Sequence, residues 1–270
     1  MLTSPKILAT LEGYSVEGGF DRAFEPATCY LPTIALGRHA GPNDAARLWD
    51  SYEKVLDHVA ELGFDGVALG LEWARLEPRR GVRDDEALGR YHAVARYAVA
   101  NGLYVNVTLI NNVWPAWLGQ EAWLLPWVRP HVVAHAEYVV SSLRDVADSF
   151  VLFADGDDLA RGGFQEGTRP PWRREALDDA ASARESISLV EHELLASPSV
   201  GPRVTRSFVI YDADETDRIL ESKSSGDVDE VHVRSLVRGS GPTASRQGLL
   251  TLQNGEWVTS GFSELLSALR

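Results

Sequence analysis

The first 155 residues alternate between short apolar runs and longer amphipathic segments, and this alternation limits the possible folds more than any other feature. The apolar runs predict β-strands over residues 7–11, 66–71, 103–110 and 149–153. The segments between them carry apolar residues three and four positions apart, which is typical of amphipathic helices. Strands that alternate with helices through short turns predict a parallel sheet with helical crossovers.

Two of the predicted helices have clear start and stop signals. The first is expected to open at Asn43 or Asp44, whose side chains can cap a helix, and to close at Gly63, which can adopt a left-handed conformation. The second is expected to open at Asp84 or Asp85. These signals fit four strand–helix units, which favour a closed barrel over an open doubly wound sheet, although periodicity alone does not separate the two.

The second half of the chain has weaker signals. Helices are expected over 175–196 and 215–222, and strands over 204–211, 228–236 and 248–252. This is about one strand–helix unit fewer than an eight-stranded barrel requires. We therefore predict an α/β fold, a (β/α)8 TIM-type barrel that is shortened or irregular in its second half.

Size, charge and cysteine content indicate a soluble single-domain protein. A chain of 270 residues with 44% hydrophobic content can bury one core, so we expect a single barrel domain over 1–270. A formal net charge of −13 argues against nucleic acid or an anionic membrane as partner. Cys29 is the only cysteine and the N-terminus has no secretory pattern, so we expect a cytoplasmic location. No phosphate-binding glycine motif is present, so no cofactor is expected.

A series of short motifs follows the predicted strands in order along the chain. They are Tyr14-Ser15-Val16-Glu17-Gly18, the run LEWARLEP at 71–78, Val107-Thr108-Leu109 with Pro115, the glycines and prolines of 162–171, and Gln253-Asn254-Gly255-Glu256-Trp257 with Gly261-Phe262. Their order and spacing resemble the family 1 glycoside hydrolases, the β-glucosidase family, over residues 7–172 and again over 249–262. The resemblance implies a barrel whose sugar site lies at the carboxyl ends of the strands.

The family cleaves glycosides with two carboxylates on opposite sides of the scissile bond. In this chain most of the family's catalytic and sugar-binding residues are replaced. The proton donor aligns with Asp155, and the asparagine before it aligns with Ala154. The other replaced positions are Ser15 for the sugar-binding glutamine, Asn111-Asn112 for His-Trp, and Ala68 for the arginine beside the nucleophile. No match to the nucleophile lies between residues 200 and 248. Glu256 and Trp257 are the glycone-binding residues that the alignment keeps.

Asp155 and Glu12 are the catalytic candidates. Asp155 ends a barrel strand at the face where active sites form, and the alternative is a helix-capping aspartate. Glu12 replaces a small residue at the expected barrel mouth and could act as nucleophile or base, the alternative being a solvated loop residue. Glu17 and Glu72 are also expected in ion pairs, with Arg75 as one partner.

The expected ligand-binding residues are Ser15, Glu17, Asn111, Asn112, Trp114, Glu256 and Trp257. Trp114 belongs to a tryptophan-rich loop that can stack on sugar faces or form core. No metal site is expected: the aspartates at 155, 157 and 158 are interpreted as solvated, and His131 and His135 as surface residues.

Three hypotheses follow. The first is a glycoside-hydrolase-like protein that binds or cleaves a glycoside, with the standard retaining mechanism lost. The second is a rewired barrel enzyme, a cyclase, isomerase or lyase, that acts on a non-glycoside natural product. The third is a non-catalytic ligand-binding pseudoenzyme. Fold alone does not decide among them, because barrels host many chemistries.

Overall fold

A parallel sheet of five strands forms the centre of the described structure. The computed structural model describes residues 6–21, 23 and 25–204 in full, and the backbone of 205, 207–210, 232–235, 251–253 and 256–258. The sheet order follows the chain, β1-β2-β3-β4-β5, and all neighbours are parallel. The strands are β1 (Leu8–Glu12), β2 (Gly66–Gly70), β3 (Tyr104–Ile110), β4 (Ser149–Phe153) and β5 (Val204–Thr205).

Helices connect these strands in the manner of repeated βα units. They are α1 (Gly13–Val16), α2 (Leu31–Ala35), α3 (Leu48–Glu61), α4 (Trp73–Leu76), α5 (Asp85–Ala100), α6 (Arg129–Leu143), α7 (Gly156–Ala160) and α8 (Leu177–Ala196). A π-helical turn, Arg161–Gln165, continues from α7. The inward faces of α3, α5, α6 and α8 bury apolar side chains in one core with the strands, which is the arrangement that the spacing of apolar residues predicted.

The strand register brings one set of residues to a common edge of the sheet. Glu12 at the end of β1 pairs with Gly70 at the end of β2, and Phe153 at the end of β4 pairs with Ile110 at the end of β3. Because the strands are parallel, the residues that follow them lie at the carboxyl edge. In α/β barrels this is the edge that holds the active site.

The four predicted strands of the first half are confirmed, and so is the cap of α5. The Asp84 side chain accepts a hydrogen bond from the Ala87 backbone N–H at 2.9 Å. Gly63 follows α3 with φ +80°, as its role in closing the helix requires. The predicted start of α3 at Asn43 or Asp44 is wrong. Positive φ values, one of them at Asn43, keep residues 43–47 in turns, and the helix begins at Leu48.

Residues Leu8–Ser207 form one compact unit, and the later strands are described by themselves. The strand predicted over 204–211 is divided between β5 and β6 (Ser207–Ile210), and β6 pairs with β7 (His232–Ser235). The helix predicted over 215–222 lies outside the described residues. Strands β8 (Thr251–Gln253) and β9 (Glu256–Val258) pair antiparallel.

Glu256 and Trp257, in the segment that resembles the family, belong to a local antiparallel hairpin. Both residues lie within β9, where Glu256 pairs with Gln253 and Trp257 with Leu252. An Asn-Gly pair between two apolar runs is a strong hairpin signal, which explains the antiparallel pairing. The side chains of Glu256 and Trp257 lie outside the described part, so their ligand-binding roles stay predictions.

No helix in the described part of the chain has the length and apolar character needed to cross a membrane.

Candidate functional site

Asp155 follows β4 directly and caps helix α7. Its backbone is extended, and its carboxylate accepts a hydrogen bond from the Asp158 backbone N–H at 3.0 Å. The residue is buried, with 7% of its surface exposed. The capping alternative for Asp155 is therefore confirmed. The position that holds the proton donor in the family holds an aspartate whose carboxylate orients the next helix.

The two aspartates after Asp155 are paired with arginines. Asp158 is buried and contacts both Arg161 (3.1 Å between Nη2 and Oδ1) and Arg169. Asp157 contacts Arg184, with 2.9 Å between Nε and Oδ1. Among the described residues, no group of three or more His, Cys, Asp or Glu side chains is arranged to hold a metal ion. The interpretation of this cluster as solvated is wrong for Asp158, because the guanidinium groups and burial replace water there.

Glu12 is the last residue of β1, half-buried rather than in a solvated loop. Its carboxylate lies near Arg169: burial lowers the pKa of Arg169, but Asp158, Tyr30 and, more weakly, Glu12 raise it by more, so the net shift is upward. Arg169 therefore links the residues after β1 to the residues after β4. Glu12 and Asp155 both lie at the carboxyl edge of the sheet, as predicted, but their catalytic roles are not tested.

Asn111 and Asn112, which follow β3, are buried amides with unsatisfied oxygens. Asn111 Nδ2 donates to the Leu71 carbonyl at 2.6 Å, yet neither Asn111 Oδ1 nor Asn112 Oδ1 has a hydrogen-bond partner among the described residues. Only 8% of the surface of Asn111 and 5% of that of Asn112 is exposed. A Cβ at Gly70 would lie 2.4 Å from Asn111 Oδ1, so the close approach of this amide requires glycine there. Buried carbonyl oxygens of this kind call for a hydrogen-bond donor, and none is found among the described residues.

Glu17 forms a buried ion pair with Arg75. The distance between Glu17 Oε2 and Arg75 Nε is 2.8 Å, and the Tyr91 hydroxyl donates to Glu17 Oε1 at 2.8 Å. Burial raises the pKa of Glu17, and the Arg75 guanidinium opposes that rise. The ion-pair prediction is confirmed. Both carboxylate oxygens of Glu17 are engaged inside the protein, and its ligand-binding role stays a prediction.

Glu72 is a second buried carboxyl group close to this pair. Its Oε1 accepts a hydrogen bond from the Ala74 backbone N–H at 3.0 Å, which caps α4, and 1% of the residue is exposed. Burial, followed by the neighbouring charge of Glu17, raises the pKa of Glu72 to about 8. The ion-pair prediction for Glu72 is wrong, because Arg75 pairs with Glu17. The raised pKa, caused mainly by burial, favours the protonated form of Glu72 at neutral pH.

The structure also describes the surroundings of three other residues singled out in the sequence, Ser15, Trp114 and His135. Ser15 is exposed, and its hydroxyl donates to the Glu12 carbonyl at 3.0 Å. Trp114 is a core residue with 1% exposure, and its indole N–H donates to the Gly119 carbonyl at 2.7 Å, so a ligand role for it is not proposed. The surface position expected for His135 is wrong: the ring is fully buried and stacks on Trp73 at 4.2 Å between centroids.

The chain is similar in sequence to known β-glucosidases. No protein-family model matches the chain. Among curated proteins, β-glucosidase 26 of Oryza sativa subsp. japonica is 22% identical over 192 residues, covering 69% of this chain and 37% of the relative. The β-glucosidase of Agrobacterium sp. is 25% identical over 203 residues, covering 74% and 44%. The chain spans less than half the length of these two curated relatives.

Solved structures of glycosidases have the same fold. Fpglu1 from Fervidobacterium pennivoraus has a TM-score of 0.67 at 19% identity, covering 84% of this chain and 61% of that one. The GH1 β-glucosidase from Exiguobacterium antarcticum B7 has a TM-score of 0.67 at 17% identity, covering 85% and 55%. The chain resembles the family 1 glycoside hydrolases. The predicted TIM-type barrel is confirmed as the fold, and β1–β5 are its strands in the described part of the first unit.

The virulence factor SghA, solved with its substrate analogue salicin, is another neighbour, with a TM-score of 0.65 at 22% identity over 77% of this chain and 48% of that one. With the barrel assigned, Asn111, Asn112, Glu12 and Asp155 lie at the edge where such folds bind ligands.

Sequence reasoning missed the protonated Glu72. The signal was an acidic residue between Leu71 and Trp73 in an otherwise apolar run.

Proposed function

We propose that the protein binds a glycoside or a glycoside-like small molecule at the carboxyl edge of its sheet and does not hydrolyse it by the two-carboxylate retaining mechanism. The main support is the pair of buried amide oxygens of Asn111 and Asn112, which have no partner among the described residues. Sugar hydroxyls are donors suited to such oxygens. The two asparagines stand where the family has His-Trp, so a changed sugar site is a consistent reading.

The loss of hydrolysis is proposed from Asp155. A carboxylate shorter than glutamate by one methylene and committed to capping α7 is poorly placed to protonate a leaving group. Glu12 is the last residue of β1, and the nucleophile position of the family does not fall on it. Under this proposal the protein is a ligand-binding relative of the glycosidases, with no cofactor, and a cytoplasmic location remains the expectation.

A second candidate is the rewired acid–base enzyme acting on a non-glycoside. Glu72 favours it, because a carboxylic acid with a pKa of about 8 can hold a proton at neutral pH and deliver it. Its burial under the residues of the carboxyl edge weighs against direct contact with a ligand. We therefore place it second.

Titration with salicin tests the first proposal, with 4-nitrophenyl β-glucoside as the substrate for turnover. We expect saturable binding of salicin and no release of nitrophenol. In Asn112→Leu the affinity should fall about three- to ten-fold, the effect of one lost neutral hydrogen bond, without loss of stability. Asn101→Ala, at the exposed end of α5, is the matched control and should bind as the wild type does.

Two results would contradict the proposal. Nitrophenol release that disappears in Asp155→Ala would show that hydrolysis persists. Absence of salicin binding in the folded wild-type protein, together with absence of binding by methyl β-glucoside and cellobiose, would remove the glycoside site.

A further inference from the structure

One cavity of the described structure is lined by none of the aligned catalytic positions. Its volume is about 470 Å³, and its lining includes Trp49 from α3, Arg75 from α4 and Arg90 from α5. This volume lies within the range of small-molecule sites, about 300–1,000 Å³. Neither Asp155 nor Asn111 is among its described lining residues, so the cavity is separate from the site proposed above.

The Arg75 guanidinium is rigidly held at this cavity. Its Nε donates to Glu17 and its Nη2 to the Gly18 carbonyl. The guanidinium carbon lies 4.1 Å from the Trp49 ring centroid and 4.6 Å from that of Phe20, so two aromatic rings enclose it. Its Nη1 makes no hydrogen bond to a described residue. One donor group of a fixed cation is therefore left for a ligand.

Arg90 supplies a second cation beside the same indole. Its guanidinium carbon lies 5.9 Å from the Trp49 ring centroid and 5.5 Å from that of Tyr52, and the residue is half-buried. Within the part of the chain that the structure describes, Arg90 has no carboxylate partner. Because the planar guanidinium matches the geometry of a carboxylate, two guanidinium groups near the same indole ring favour a carboxylate ligand.

Two carboxylates restrict which anion fits. Asp84 and Glu86, at the start of α5, line the cavity, and the charge of Arg75 is already paired with that of Glu17. A phosphate, with a charge of about −1.5 to −2, would be repelled by Asp84 and Glu86 more than a monoanion would. Hydroxyl groups, by contrast, donate well to carboxylates. The lining thus suits a monoanion with hydroxyl groups.

We propose that this cavity binds a polyhydroxylated carboxylate of the sugar-acid class, with its carboxylate between Arg75 and Arg90, its hydroxyl groups on Asp84 and Glu86, and its apolar face on Trp49. The carboxylate contacts two guanidinium groups, of which Arg75 is already held in place by hydrogen bonds. The proposal does not depend on the glycoside site, since no residue is shared.

Calorimetric titration of the full chain tests the site, with gluconate as probe and glucose, acetate and inorganic phosphate as comparisons. We expect gluconate to bind at least ten-fold more tightly than each of the other three. Arg90→Gln should weaken gluconate binding about ten-fold or more, the effect of a lost charge-assisted hydrogen bond. Arg96→Gln is the matched control: Arg96 lies on the same helix, is exposed, and pairs with Asp145 at 3.7 Å.

Thermal unfolding confirms that each variant is folded, and Arg90→Lys, which keeps the charge without the planar donor pair, should bind gluconate with intermediate affinity. Glu86→Gln should reduce the preference for gluconate over acetate. Equal gluconate affinity in the wild type and Arg90→Gln would overturn the proposal. So would the absence of saturable gluconate binding, or acetate or phosphate binding as tightly as gluconate. Salicin binding should be unchanged in Arg90→Gln, which separates failure here from failure of the glycoside site.

Discussion

Replacing Glu72 by glutamine should change how stability depends on pH. The folded protein holds the Glu72 proton up to a pKa of about 8, compared with the ordinary value of 4.5. Between these two pH values the folded state binds a proton that the unfolded state has released. The contribution of Glu72 is therefore fully favourable below pH 4.5 and is lost as the pH rises through 8.

The size of the effect follows from the two pKa values. The difference, 8 − 4.5, is 3.5 units, and at 1.36 kcal/mol per unit this amounts to about 5 kcal/mol as an upper limit. Glutamine keeps the shape of the protonated acid and cannot ionise. Relative to the wild type, Glu72→Gln should therefore gain stability steadily from pH 5 to pH 8.

Urea unfolding at pH 5, 6, 7 and 8 measures this difference. Glu185→Gln, an exposed glutamate of α8, is the control and should follow the wild-type pH profile. If the free energy of unfolding of Glu72→Gln runs parallel to that of the wild type over this range, Glu72 does not retain its proton, and the account of the buried pair is refuted.

Three other predictions concern Asp155, His135 and Gly70. Asp155→Ala should lower the free energy of unfolding by about 1 kcal/mol through loss of the α7 cap, and Asp155→Ser should retain most of it; equal urea midpoints for the alanine and serine variants would argue against the cap. Burial lowers the pKa of His135 to about 3, so its contribution to stability is complete above pH 6.5 and falls as the pH drops toward 3. In the same urea assay, His135→Phe should lose less stability than the wild type between pH 6 and pH 4. If the two proteins have the same acid profile, His135 does not have this role. Gly70→Ala should lower the free energy of unfolding by about 1–3 kcal/mol, because its Cβ would meet the Asn111 amide. Gly89→Ala, in open space on α5, should raise it by about 0.5–1 kcal/mol. Similar effects at both glycines would contradict the packing described for Asn111.

The first half of the fold could be predicted because its signals are local. Apolar runs marked β1–β4, and the cap at Asp84 needed only the helix that follows it. The start of α3 could not be predicted, since the turn residues before Leu48 adopt positive φ values that no sequence rule demanded of Ala45 or Arg47.

The candidate site was predictable only in its location. The end of each strand indicated Glu12, Asp155 and the two asparagines, and parallel pairing brings those ends to one edge. What each side chain does depends on distant partners: Tyr91 lies 74 positions from Glu17 in the sequence and donates to it. Such contacts decide that Glu17 is paired and Glu72 protonated, and periodicity contains no information about them.

Calorimetric titration of the wild-type protein with salicin tests the central claim most directly, because one experiment reports both binding and turnover. The account predicts a saturable heat that returns to baseline after each injection, since the ligand binds and is not cleaved. A sustained heat of hydrolysis, or no saturable heat from folded protein, would contradict it.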